Sequence, residues 1–265
     1  MEQGFIALDG VSHRYGADLA GHDSVTAVAD LTLSVNRGEF AAVVGPSGCG
    51  KSTLMKLVTG LQFPYAGNVA VAGAPVTEPV KIAGMAFQAP TLLPWRTTLE
   101  NLLLPLEIVA PHRGRIRRHK AEYVARAEAL LASVGLRGQG EKYPWELSGG
   151  MQQRTSLCRA LIHEPDLLML DEPFGALDAF TREELWCVIR DLHAARNITI
   201  VLVTHDLREA VFLADRVFVM SSRPGRILVE RPIELPRPRD LDVTFTPQFS
   251  GIVHELREHI VKARQ

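Results

Sequence analysis

The eight residues Gly45-Pro46-Ser47-Gly48-Cys49-Gly50-Lys51-Ser52 fit the spacing G-x-x-x-x-G-K-[ST], and they stand between an apolar run, Phe40–Val44, and an apolar-periodic segment, Thr53–Val58. Strand, glycine loop and helix in that order leave few folds open. The glycines let successive backbone N–H groups turn inward on phosphate oxygens, and the start of the helix adds the positive end of its dipole. Lys51 supplies a point charge and Ser52 a hydroxyl suited to Mg²⁺. The ligand that this set of groups suits is a nucleoside triphosphate.

The rest of the chain reads as a setting for that loop. Phe5–Leu8 and Leu31–Val35 alternate apolar with polar or small residues, which predicts half-exposed strands of an N-terminal antiparallel sheet. Leu167–Leu170, Ile198–Val203 and Val217–Met220 are, like Phe40–Val44, unbroken apolar runs, as expected of parallel strands covered on both faces. Much of the long stretch between Val44 and Leu167 reads as helical, so an inserted helical subdomain is expected. Its best helix is predicted over 117–134, where Tyr123, Val124, Ala127, Leu130, Leu131 and Val134 recur at helical spacing before Gly135. Pro232, Pro236 and Pro238 precede a last helical segment over 248–262.

Composition removes several classes of function. Residues of the hydrophobic types make up 46% of the chain and charged ones 22%, which excludes disorder over most of the length. Twenty-nine Lys and Arg against 30 Asp and Glu leave a net charge of −1, so there is no electrostatic case for nucleic acid or an acidic membrane as the main partner. Arg113, Arg115, Arg117, Arg118 and Lys120 form a basic run without interleaved aromatics, expected to be a solvated helix face rather than a base-stacking surface. Cys49, Cys158 and Cys187 lack metal-ligand spacing and read as reduced thiols. No apolar run approaches the roughly 20 residues that cross a bilayer, and Met1-Glu2-Gln3 does not open a secretory signal.

Two further segments carry chemistry. Leu167-Leu168-Met169-Leu170-Asp171-Glu172 is an apolar strand ending in two carboxylates. Neighbouring side chains diverge along a strand, so Asp171 can hold hydrated Mg²⁺ while Glu172 orients the attacking water. Leu147-Ser148-Gly149-Gly150-Met151-Gln152-Gln153-Arg154 precedes a helical segment expected over 155–163. Ser148 is placed to cap that helix while two glycines leave N–H groups bare, a second anion site.

With that segment the sequence resembles the ATP-binding-cassette ATPase family, whose signature has the form L-S-G-G-Q; Met151 stands where Gln is most common. The resemblance spans nearly the whole chain. It implies an α/β fold: a P-loop NTPase core with a mostly parallel sheet, an N-terminal antiparallel β subdomain and an inserted helical subdomain. The divisions expected are 1–88, the N-terminal part of the core with the phosphate loop; 89–165, the helical subdomain; 166–230, the C-terminal part of the core; and 231–265, a Pro-rich linker and last helix.

The same resemblance implies an ATPase with particular residues in particular roles. ATP lies on Gly45, Pro46, Ser47, Gly48, Cys49, Gly50, Lys51, Ser52 and Thr53, with its adenine on Tyr15 of His13-Arg14-Tyr15-Gly16. Ser52, Gln88 and Asp171 hold Mg²⁺. Gln88 also touches the attacking water, Glu172 is the base, and His205 in Thr204-His205-Asp206 contacts the γ-phosphate. Ser148, Gly149, Gly150 and Met151 close on ATP from a second copy of the chain, and Gly175-Ala176-Leu177-Asp178 is the loop that crosses to that copy.

Gln88 to Arg96 and Asp215 to Ile227 look like the nitrate, sulfonate and taurine branch of bacterial importers. Permease subunits, a periplasmic solute-binding protein acting indirectly, no nucleic acid, and a peripheral place on the cytoplasmic face of the inner membrane are what that branch implies. Leu92, Leu93, Pro94 and Trp95 form an apolar knot suited to a permease segment or, residue by residue, equally to the core of the helical subdomain. The branch implies a small anion such as nitrate, a sulfonate or taurine as the solute; the alternative is another small solute, for example a pyrimidine precursor, since the chain itself does not name it. A cassette of DNA repair would need a long coiled coil and one of translation a second phosphate loop, and a small-molecule kinase has no use for Ser148-Gly149-Gly150.

Overall fold

The computed structural model describes residues 4–16, 24–175 and 177–263, so Met1, Glu2, Gln3 and Ala176 lie outside the described residues. Along the chain come β1 (Ile6–Tyr15), β2 (Val25–Val35), β3 (Phe40–Val44), α1 (Lys51–Val58), β4 (Ala66–Val71), β5 (Ala74–Pro75) and β6 (Ala83–Ala86). They are followed by α2 (Thr98–Ile108), α3 (Lys120–Ser133), α4 (Gly149–Leu161), β7 (Leu167–Asp171) and α5 (Ala179–Arg196). The chain ends with β8 (Thr199–Thr204), α6 (Leu207–Leu213), β9 (Arg216–Met220), β10 (Ile227–Pro232) and α7 (Pro247–Lys262). It divides into two units, one of residues 1–80 with 193–265 and the other of residues 81–192.

In the first unit, the apolar run Phe40–Val44 becomes β3 with all five residues buried. It pairs in parallel with β8 from Phe40↔Ile200 to Val44↔Thr204 and with β9 from Ala41↔Arg216 to Val44↔Val219. Every residue of β8 is buried too, so these central strands carry apolar side chains on both faces. The antiparallel strand β10 extends this sheet beside β9. A second, antiparallel sheet has the order β2-β1-β4-β5, with Ile6 opposite Val35 and Leu8 opposite Leu33. In β2 the alternation read from Leu31 to Val35 is the burial alternation: Leu31, Leu33 and Val35 buried, Thr32 and Ser34 exposed. The strands β4, β5 and β10 lie outside the strands read from sequence, because their side chains are half-exposed and carry little apolar signal.

The end of the chain is held by a buried arginine. Arg239 Nη1 donates to the carbonyls of Val211, Phe212 and Ala214, and Nη2 to that of Ile233, at 2.7–3.1 Å. The guanidinium thereby satisfies backbone acceptors at the C-terminal end of α6. Burial pulls its pKa down to about 10. Phe249, Ile252 and Leu256 are the buried stripe of α7, which Thr246 caps.

In the second unit β6 and β7 run parallel from Ala83↔Leu167 to Ala86↔Leu170. The helices α2, α3 and α4 pack together. Helix α2 opens on a capping box in which the Thr97 hydroxyl accepts from the Glu100 N–H while Glu100 accepts from the Thr97 N–H. Helix α3 starts at Lys120 rather than 117, buries Tyr123, Ala127, Leu130 and Leu131, and gives way to Gly135 at φ +72°. The basic run is solvated as expected but is no helix face: Arg113 lies in a short 3₁₀ turn, and Arg115 to Arg118 precede α3.

Among the described residues no helix is long and apolar enough to cross a membrane. At Gly84 a Cβ would stand 2.0 Å from the Ala160 carbonyl oxygen, so β6 lies against α4 only because the side chain is absent. Gly84→Ala is expected to cost about 2–3 kcal/mol, read as a lower urea midpoint at unchanged slope.

Candidate functional site

The phosphate loop is shaped by its glycines at two points. Gly48 and Gly50 have φ of +74° and +101°, and a Cβ on Gly50 would meet Val28 Cγ1 at 2.6 Å. Gly50 is also the N-cap residue of α1, so Lys51, Ser52 and Thr53 form the first turn, where backbone N–H groups have no helical partner. Lys51 is only 6% exposed. Its Nζ donates to the carbonyls of Gly45 at 2.9 Å and Pro46 at 3.0 Å, so a buried ammonium is held by neutral acceptors of its own loop. A buried cation held by neutral carbonyl dipoles is suited to an anionic ligand. Burial pushes the Cys49 thiol up, so that position offers its backbone rather than a thiolate.

Two other predicted residues belong to the same unit. Tyr15 ends β1, and its hydroxyl donates to Gln62 Oε1 at 2.7 Å and lies 3.2 Å from Thr53 Oγ1. The hydroxyl is held by Thr53 of α1 and by Gln62 beyond it, and the residue is 38% exposed, which leaves it open to stacking. His205 stands exposed between β8 and α6. The Asp206 carboxylate caps α6 by accepting from the N–H groups of Arg208 and Glu209, and the Asp206 N–H donates to Thr204 Oγ1 at 3.0 Å. The backbone is thus fixed on both sides of the histidine.

In the second unit, Asp171 is the buried last residue of β7. Glu172 follows at φ +46°, a left-handed conformation uncommon for a side chain of that size. Gln88, 84 positions earlier, donates from Nε2 to Glu172 Oε2 at 3.1 Å. Two of the predicted catalytic residues therefore meet. Ser148 caps α4, its Oγ accepting from the Met151 N–H at 3.3 Å. The signature's Met151 takes part through its backbone, which any side chain there would provide. Helix α4 begins at Gly149, six residues before the expected Thr155, so Gly149 and Gly150 are its first residues and their N–H groups have no partner within it. Asp178 Oδ1 accepts from the Thr181 N–H at 3.0 Å at the start of α5, a bond that holds its carboxyl below the usual range.

Three residues with a part in this arrangement went unrecognised in the sequence. Gln153, buried in α4, donates to the Phe87 carbonyl at 3.2 Å. Arg159, two turns further on, donates to the carbonyls of Pro90 and Thr91 at 2.9 and 3.0 Å. Asn101, fully buried, accepts from the Leu93 N–H and donates to the carbonyls of Leu93, Arg96 and Thr97 at 2.8–3.1 Å. Together they hold the segment 87–97. Leu92 and Leu93 are half-buried on it, Pro94 is exposed, and Trp95 is 71% exposed. Trp95 borders a groove of about 870 Å³ lined also by Leu103, Arg113, Ile116, Arg117 and Lys120.

The family model described as ABC transporter matches residues 28–175. The chain is 39% identical over 242 residues to the aliphatic sulfonates import ATP-binding protein of Bacillus licheniformis, covering 91% of this chain and 88% of that one. It is 40% identical to the nitrate import ATP-binding protein of Synechococcus elongatus over 98% of its own length and 39% of that longer protein. Among solved structures, a dimeric bacterial ABC transporter cassette superimposes with a TM-score of 0.75 at 29% identity, over 87% of this chain and 100% of that one. A post-hydrolysis state of that cassette bound to ADP and Pi gives 0.73 at 28% identity, over the same shares. The match over more than half of the chain and the relatives at about 40% identity show that the chain belongs to the ABC transporter family and is one of its ATPases.

Proposed function

We propose that this chain is the ATP-hydrolysing subunit of an importer for a small anion such as nitrate, a sulfonate or taurine, working as a pair of copies against separate permease subunits. Tyr15 stacks on adenine, and the N–H groups of Gly45 to Thr53 with Lys51 receive the phosphates. The oxygen donors of Ser52, Gln88 and Asp171 are the set a hard divalent cation prefers, and they would hold Mg²⁺. When bound, Mg²⁺ would supply charge neutralisation to the triphosphate. Glu172 takes the proton of the attacking water, while the Gln88 amide keeps that carboxylate oriented. His205 donates toward the γ-phosphate, and Ser148 with the N–H groups of Gly149 and Gly150 meets it from the second copy, whose Asp178 loop crosses the pair.

Both copies hold the γ-phosphate, so ATP favours the closed pair over the open one and ADP does not, and that difference in affinity drives the motion. A periplasmic solute-binding protein delivers the anion, and the pair works from the cytoplasmic face of the inner membrane.

The observation that carries the reading is the segment 87–97. One end touches Glu172 through Gln88, the other exposes Trp95 at the groove, and Gln153 and Arg159 tie it to the helix that Ser148 starts. A permease segment in the groove therefore acts on base and cap through one piece of backbone. The likeness to sulfonate and nitrate import proteins supports the anion class.

Co-expression with candidate permeases tests this. The chain is expected to copurify with one, to drive ATP-dependent uptake of nitrate, a sulfonate or taurine into vesicles, and to lose most of the permease when Trp95 becomes Ala. Retention of nucleic acid, or phosphorylation of a small metabolite, with no permease bound would contradict it.

A further inference from the structure

The turn between β9 and β10 is a closed structure of its own. The Ser221 N–H donates to the Arg226 carbonyl, the Arg226 N–H to Ser221 Oγ, and Ser221 Oγ to the Pro224 carbonyl, each at 2.9 Å. It is seated on the phosphate loop. The Gly225 N–H donates to the Ala27 carbonyl at 2.9 Å and the Ala29 N–H to the Gly225 carbonyl at 3.0 Å, while a Cβ on Gly225 would stand 2.0 Å from the Cys49 carbonyl oxygen. From its other side the turn is tied to the end of α7, Ser222 Oγ donating to the Ala263 carbonyl at 2.9 Å.

At the tip of this braced turn, Arg223 Nε donates to the Gly48 carbonyl at 2.8 Å. Gly48 is in the left-handed region at φ +74°, and a Cβ there would stand 3.2 Å from Arg223 Nη2. The two ends of a trans peptide point in opposite directions. Fixing the Gly48 carbonyl on the outside therefore sends the Cys49 N–H to the inside, where it meets the Pro46 carbonyl at 3.3 Å. That same carbonyl accepts Lys51 Nζ. A chain of contacts thus runs from Arg223 through one peptide plane to the ammonium.

We infer that Arg223 is a positioning residue of the phosphate loop: by holding the Gly48 carbonyl from outside, it presets the backbone and Lys51 for the triphosphate. This rests on the reading that the loop receives ATP. Without Arg223, part of the ordering of the loop must accompany each binding event, and affinity falls by that amount. The cost belongs to binding, common to ground and transition states, so it raises KM and spares kcat.

The test is steady-state ATP hydrolysis by the full-length chain and its Arg223→Ala and Arg223→Lys variants, with ATP binding measured on Lys51→Ala alongside. Arg223→Ala is expected to raise KM for ATP about fivefold, the worth of one hydrogen bond, with kcat within about twofold of the parent. Arg223→Lys keeps a long cationic donor and is expected to recover most of the loss. A mere loss of folded protein would lower kcat at constant KM. That result, or an unchanged KM in Arg223→Ala while Lys51→Ala loses ATP, overturns this inference and leaves the loop's role standing. Unchanged ATP affinity in Lys51→Ala would overturn the loop reading and this inference with it.

Discussion

Glu172→Gln is expected to bind ATP as well as the parent chain or better while turnover falls about a thousandfold, within the range that general-base catalysis supplies. The substitution keeps the shape of the side chain and an oxygen able to accept from Gln88 Nε2, so the 3.1 Å contact and the left-handed backbone at position 172 need not change. The lost property is the ability to take a proton. A negative charge facing the γ-phosphate disappears as well, which removes a repulsion from the bound state. Single-turnover hydrolysis together with an ATP titration separates the two effects. Turnover at the parent rate would remove Glu172 from the role of base.

Lys51→Ala is expected to act at the earlier step and to weaken ATP binding about 10- to 100-fold, the range for loss of a charge-assisted hydrogen bond. The buried ammonium now rests on the Gly45 and Pro46 carbonyls. Those neutral acceptors are a poorer match for it than phosphate oxygens, so the exchange on binding is favourable. With alanine the two carbonyls lose their donor and the phosphates lose the charge. An equilibrium titration with ATP checks this, and the two variants together distinguish binding from chemistry.

The parts of the fold legible in the sequence were those whose burial writes a simple pattern. The strand β3 reads as an unbroken apolar run because both its faces are covered, and the end of β2 as an alternation because one face is. The strand β10, half-exposed along its length, leaves no such pattern, and neither does the two-residue β5. The early start of α4 was hidden by its own chemistry. Two glycines are poor helix formers, yet Ser148 caps the helix in front of them and leaves their N–H groups at its open end.

The candidate groups were legible as residue types at set spacings, from Gly45 to Ser52 in one unit and at Asp171-Glu172 and Ser148-Gly149-Gly150 in the other. The contacts that hold them were not. Gln153 and Arg159 read as the polar face of a helix, whereas they donate to backbone carbonyls more than 60 positions away. Arg223 reads as part of a turn, whereas it reaches a carbonyl 175 positions earlier. A side chain that serves a distant peptide group leaves no spacing to read, because the fold alone sets which backbone it meets.

All the roles proposed here come together in an ATP shared between the lysine-bearing loop of one copy and the Ser148 helix start of another. Sedimentation of the Glu172→Gln chain with and without ATP and Mg²⁺ tests that most directly. The mass expected is that of one copy without nucleotide and of two with it, returning to one in Ser148→Arg. A single copy that binds ATP at saturation and keeps its one-chain mass at every protein concentration would contradict it.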